Sequence, residues 1–220
     1  MKVLVVSAHP DDETLGCGGT IVKHVRAGDE VYWLIATAPV GPPWSAEQRT
    51  RERRVVEVIA KAYGMKRFFA LDLPSAGLDQ VPVSQLVEAV RGVVEQVNPQ
   101  VVYTVSPADV HTDHQRVFEA LGIVLKPFKN WAVRRVLAYE CLSSTDAAPP
   151  VSSRVFVPTA YSDISASVED KLAIMRLYES EVQPEPLPRS ESAIRALARY
   201  RGATIGRQYA EAFMVIRELF

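Results

Sequence analysis

Cysteine is scarce in this chain. Cys17 and Cys141 are the only two, and they lie far apart with no ligand-like spacing. That excludes a disulfide framework and fits a reducing compartment. An excess of either charge is missing too. Lys and Arg number 25 against 26 Asp and Glu, a net charge of -1, so no general basic field exists to collect nucleic acid or an anionic membrane surface. No apolar run approaches the roughly 20 residues that span a bilayer. The opening MKVLVVSAHPDDE reaches its acids too soon for an export signal. The expectation is a cytoplasmic protein with neither nucleic acid nor membrane as partner. Histidine is also scarce, at four in 220 residues, which makes its placement informative.

What is present is the composition of a folded domain, with 48% hydrophobic and 23% charged residues. The length exceeds the usual domain of about 100 to 150 residues, but one large α/β layer structure absorbs it, so a single domain over 1–220 is expected. Lys2 to Ser7 is a Val-rich run of the kind buried on both faces of a parallel sheet. Helical spacing follows over Thr14 to Ala27, then a strand over Glu30 to Ala38 and a helix over Ala46 to Tyr63 closed by Gly64. Arg67 to Leu71, Val83 to Val97, Gln100 to Val105, Asp113 to Leu125 and Val133 to Glu140 continue as strand, helix, strand, helix, strand. This βαβ alternation predicts a three-layer, Rossmann-like αβα sandwich on a mainly parallel sheet. Beyond it the pattern loosens. A loop over Ser143 to Ser153, an extended piece over Arg154 to Pro158, a helix near Val168 to Glu179, a Pro-rich loop over Gln183 to Arg189 and a helix over Glu191 to Gly202 are expected.

Three of the four histidines fall in two short clusters, His9-Pro10-Asp11-Asp12-Glu13 after the first strand and His111-Thr112-Asp113-His114 after the strand ending at Val105. Ligand sites of open α/β sheets form beyond the carboxyl ends of strands, where both clusters are placed. Acids at a helix start have an ordinary explanation in the positive end of the helix dipole. Two such clusters with three of four histidines do not. Zinc takes imidazole nitrogen and carboxylate oxygen, and a hydrolytic site uses three protein ligands with one position left for water. His9, Asp12 and His114 can supply those three. Asp11 and His111 are then left beside the metal, one as a base and the other as an acid or oxyanion donor, with Asp113 holding the His111 ring. His24, inside a helix with no acid apparent nearby, reads as structural.

The segments AHPDDETLGCGG (Ala8 to Gly19) and HTDH (His111 to His114) resemble the LmbE-like, PIG-L family of zinc-dependent N-deacetylases. Tyr139-Glu140, Tyr161-Ser162-Asp163-Ile164, Lys171, Ser180, Arg201-Gly202 and Tyr209 to Phe213 extend the likeness along nearly the whole chain. The resemblance implies hydrolysis of an N-acetyl group on an N-acetylglucosaminyl-type compound to acetate and a free amine. It implies His9, Asp12 and His114 as Zn2+ ligands, Asp11 as general base, and a protonated His111 supported by Asp113 as oxyanion stabiliser. Either Asp11 or His111 then returns the proton to the departing nitrogen. Many relatives form trimers or hexamers. The chain departs from the family pattern at Ser75, where many relatives carry Asp, and at Glu181, where many carry Gln. A metal-dependent amidase or phosphoesterase acting on another small molecule is the alternative activity. A non-catalytic binding protein is disfavoured, because pure binding needs no general base.

Weaker signals have plainer readings. Gly16, Gly18 and Gly19 give G-x-G-G rather than a dinucleotide fingerprint, and they suit close backbone packing under the site. Arg53, in a run of mixed charge, reads as a solvated helix position, with substrate-anion binding in the cleft as the sharper alternative. Trp44 suits sugar stacking, a subunit contact or loop anchoring.

Overall fold

The structure, a computed structural model, describes residues 1–41, 44–129, 132–151 and 155–220. Strands β1 (Lys2–Ser7), β2 (Glu30–Ala38), β3 (Arg67–Pro74), β4 (Val101–Val105) and β5 (Arg135–Tyr139) alternate with helices α1 (Asp12–Arg26), α2 (Ala46–Tyr63), α3 (Val83–Val97) and α4 (Thr112–Val124). Then come β6 (Ala160–Asp163), α5 (Val168–Met175), α6 (Glu191–Ala203) and β7 (Ala210–Glu218). The sheet order is β3-β2-β1-β4-β5-β7-β6. Its first five strands pair in parallel, and β7 runs antiparallel to both β5 and β6. Helix α3 packs on α4, and α1 packs on α2 and α5, giving the expected three-layer α/β arrangement. No described helix is long and apolar enough to cross a membrane.

The fold places the site by topology. From β1 the chain steps outward to β2 and β3, then returns to pair β4 on the other side of β1. The crevice at the carboxyl ends of β1 and β4 is thus the point where strand order reverses, the usual ligand position of such sheets. Both histidine clusters begin there.

Local chemistry explains most boundaries. Helix α2 starts in a capping box, with Ser45 Oγ accepting from Gln48 N at 3.1 Å and Gln48 Oε1 accepting from Ser45 N at 2.8 Å, and it stops at Gly64 with φ 75°. Helix α1 begins two residues before the expected Thr14 and is kinked at Cys17, whose φ of -142° is not helical. A methyl group on Gly16 would meet the Tyr139 ring at 2.1 Å, so only glycine lets this turn lie against β5. The kink frees backbone groups, and a buried ion pair takes them up. Glu211 accepts from Gly19 N at 2.9 Å and from Thr20 N at 2.8 Å, while Lys171 Nζ donates to Leu15 O and to Glu211, both at 2.8 Å.

The last third departs from expectation. Strand β7 was not anticipated, because Ala and Glu in AEAFMVIRE are poor strand formers, and tertiary pairing with β5 and β6 overrides them. Of the extended piece over Arg154 to Pro158, Arg154 lies outside the described residues and 155–158 form no strand. The strand is instead Ala160–Asp163. Ser152, Ser153, Pro42 and Pro43, in the loops read from sequence, also lie outside the described residues. Helix α5 ends at Met175, short of Glu179.

Candidate metal centre and active site

The turn after β1 is built around Asp12. Its Oδ2 accepts from Ala8 N at 2.9 Å and His9 N at 2.8 Å, which leaves Oδ1 turned toward the second cluster. Asp11, at the N-cap of α1, has φ 103° and ψ -32°, outside the regions open to most side chains. Strain of this kind costs about 1 to 3 kcal/mol and gathers at functional sites. Beyond β4, His111 caps α4, its Nδ1 accepting from Asp113 N at 3.2 Å. One turn into that helix, His114 points back at the β1 turn.

Three donor atoms converge. His114 Nε2 lies 3.2 Å from Asp12 Oδ1 and 3.3 Å from His9 Nδ1, and His9 Nδ1 lies 3.8 Å from Asp12 Oδ2. Tetrahedral bonds of about 2.0 to 2.2 Å set ligand atoms about 3.3 to 3.6 Å apart, so the two spacings at His114 Nε2 are close to those around one first-row divalent ion, and one ligand atom from each of His9, Asp12 and His114 lies within 4.8 Å of the others. His9 Nε2 pairs with Asp113 Oδ2 at 2.9 Å, which orients the ring and leaves Nδ1 for an ion. Asp113 also accepts from Ala76 N at 2.7 Å and Leu78 N at 3.0 Å. His9, His111 and Asp113 form a second group close enough to hold an ion. There the acid is already committed to backbone and ring.

Electrostatics favour a cation at the first group. Burial disfavours charge on His114, yet Asp12 and Asp109 push its pKa up to about 10. Burial would raise the Asp12 carboxyl, but His114 and His9 outweigh it and hold it below the usual range. Acids that stabilise a proton on His114 stabilise a metal in its place, with that proton released on binding. The residues present therefore fit a divalent metal.

A cleft of about 460 Å³ opens over these atoms, lined by His9, Asp11, Asp12, His111 and His114. Residues 4–124, more than half the chain, match the family described as PIG-L: GlcNAc-PI de-N-acetylase. The chain belongs to the PIG-L family. It is 27% identical to the diacetylchitobiose deacetylase of Thermococcus kodakarensis, over all of this chain and 84% of that protein. It is 28% identical to the 2'-N-acetylparomamine deacetylase of Streptomyces fradiae, over 95% of this chain and 84% of that one. Among solved structures, N,N'-diacetylchitobiose deacetylase from Pyrococcus horikoshii shares the fold with a TM-score of 0.75 at 24% identity, covering 98% of this chain and 83% of that one.

In this PIG-L chain, burial and then the charges of Asp12 and Glu181 push the Asp11 carboxyl well above the usual carboxylate range, with Arg189 opposing. Burial, with His9 and His114 close by, holds His111 below the ordinary histidine value. That opposes the protonated His111 which the resemblance implied. Since Nδ1 of His111 accepts a backbone bond, its neutral ring carries the proton on Nε2. Asp113 departs from its expected partner, because its carboxylate bonds the His9 ring and not that of His111.

Two contributors escaped the sequence reading. Asp109 is fully buried, accepts from Thr145 Oγ1 at 2.7 Å and Ser144 Oγ at 3.0 Å, and its Oδ2 lies 3.0 Å from His114 Nδ1. It is an acid two residues before His111 in the same loop, a signal the sequence did contain. Arg189 lines the cleft and bonds Asp11 Oδ2 at 2.9 Å, with nothing in QPEPLPR to mark it. Arg53 takes the solvated, ion-paired position read from the sequence and not the cleft alternative: it is exposed on α2, pairs with Asp72 at 3.2 Å and lines an adjoining pocket. The buried face of α2, Val56, Ile59, Ala60 and Tyr63, sets that direction. His24 does have an acid partner, Asp29 at 2.7 Å, and its other nitrogen is 3.0 Å from the Tyr103 hydroxyl. Cys17 is buried outside the ion-binding groups, while Trp44, Ser75 and Glu181 line the cleft.

Proposed function

We propose that residues 1–220 form one zinc-dependent N-deacetylase domain that removes the acetyl group from an N-acetylglucosaminyl-type amino sugar, giving acetate and a free amine. The carrying observation is the convergence of His9 Nδ1, Asp12 Oδ1 and His114 Nε2 beside Asp11 in one cleft. The donor set is that of a hydrolytic zinc site, and family membership supports the reaction class. Zinc held by His9, Asp12 and His114 would supply Lewis-acid polarisation and ease deprotonation of water.

The chain's own residues do the rest. Asp11 takes a proton from the attacking water as its oxygen adds to the acetyl carbon. Burial raises the Asp11 carboxyl, which makes it a stronger base than an exposed carboxylate. His111 donates its Nε2 proton in a hydrogen bond to the developing oxyanion as a neutral ring. With His111 neutral, Asp11 is the group that returns the proton to the nitrogen as the C–N bond breaks. Pro39, Leu142 and Trp44 in the cleft wall offer apolar and aromatic surface to a pyranose ring.

Acetate release from N,N'-diacetylchitobiose and from N-acetylated aminoglycosides, with and without a chelator, tests the reading. Turnover of at least one class is expected, with loss on chelation and recovery on adding zinc. Activity on phosphate esters alone, or deacetylation indifferent to chelator, contradicts it.

A further inference from the structure

We infer that Arg189 is a positioning residue for Asp11, and that Glu181 holds Arg189 in place for that task. The inference rests on the reading of Asp11 as the base. The backbone at Asp11 fixes the Cα but leaves two side-chain torsions free to aim the carboxylate. Asp12, Glu13 and Glu181 surround that carboxylate with negative charge, and Arg189 is the cation that meets it. Arg189 Nη1 donates to Asp11 Oδ2 at 2.9 Å, whereas Asp11 Oδ1 accepts no bond among the described residues. One oxygen of this cleft-lining carboxylate is thus pinned, which limits how the side chain can turn.

Arg189 is itself well held. The same Nη1 donates to Glu181 Oε2 at 2.6 Å, and Glu181 Oε1 accepts from Ser180 Oγ at 3.1 Å. Arg189 N donates to Gln183 Oε1 at 3.1 Å, and its carbonyl accepts from Gln183 N at 3.2 Å, which closes the Pro-rich loop on itself. Ser190, the next residue, caps α6 by accepting from Ala193 N. Glu181, Arg189 and Asp11 thus form a continuous chain of charge-assisted bonds from a helix-anchored loop to the reacting carboxylate. A base misaimed by about 1 Å loses on the order of 10²-fold in rate, which sets the scale of what this chain protects.

The test is steady-state acetate release from N,N'-diacetylchitobiose by zinc-loaded enzyme, with zinc content and melting temperature measured on each variant. R189A is expected to lower kcat about 10²-fold with KM within about threefold and zinc content unchanged. R189K, which keeps one charged donor nitrogen but on a shorter side chain, is expected to lose only about tenfold, and E181Q a similar amount or less. In a D11N background R189A is expected to add nothing, because both changes act through one group. A loss confined to KM, or an equal kcat loss in both backgrounds, overturns the assignment. If R189A does not fold, R189K carries the test, and wild-type kinetics there overturn it. A D11N variant at wild-type activity overturns the base reading and this assignment with it, whereas an inactive D11N beside a fully active R189A overturns this assignment alone.

Discussion

Asp11→Asn is expected to lower kcat for deacetylation about 10³-fold, equivalent to about 4 kcal/mol of transition-state stabilisation, while fold and metal content stay intact. The substitution removes the basic oxygen and little else. Asparagine matches aspartate in shape and is among the residues that tolerate positive φ, so the turn at φ 103° is kept. It can still accept from Arg189 through its amide oxygen, and it leaves the ligand atoms of His9, Asp12 and His114 untouched. Single-turnover acetate release and zinc content measured on the same preparation check this. Activity within about threefold of wild type would show that another group takes the proton.

His114→Ala is expected to abolish both zinc retention and turnover. Apparent zinc-binding energies of about 10 to 16 kcal/mol over four ligands put one ligand near 2.5 to 4 kcal/mol, or about 10²- to 10³-fold in affinity. The loss extends beyond one bond. Asp12 and Asp109 flank the His114 ring on opposite nitrogens, and without it two buried carboxylates lose their shared partner. Removing one member of such a buried set costs about 3 to 5 kcal/mol. The melting temperature is therefore expected to fall as well, and calorimetric zinc titration of wild type and variant separates the two effects. A variant that binds zinc as tightly as wild type contradicts the ligand assignment.

Much of this was legible in the sequence, for identifiable reasons. Doubly buried strands such as Lys2–Ser7 read as unbroken apolar runs, and amphipathic helices such as Val83–Val97 read by period, so elements through β5 fall within a few residues of expectation. The candidate ion-binding cluster was legible because strand ends in this topology collect at one crevice, which brings two local clusters together. What failed depends on direction in space. Sequence spacing puts Asp113 beside both His111 and His114, but the acid turns to His9, on another strand's loop. Arg189 reaches Asp11 across 178 residues, and no periodicity encodes that contact. Strand β7 carries Ala and Glu, which favour helix, and pairing with β5 and β6 makes it a strand.

The central claim is that the loops after β1 and β4 share one metal ion. Anomalous scattering at the zinc edge, from crystals of the wild-type protein loaded with zinc, tests it most directly. The account predicts one peak about 2.0 to 2.2 Å from His9 Nδ1, His114 Nε2 and an Asp12 oxygen, with Asp11 adjacent but unbound. A peak on His111 and Asp113 instead, or none in the cleft of an active preparation, would contradict it.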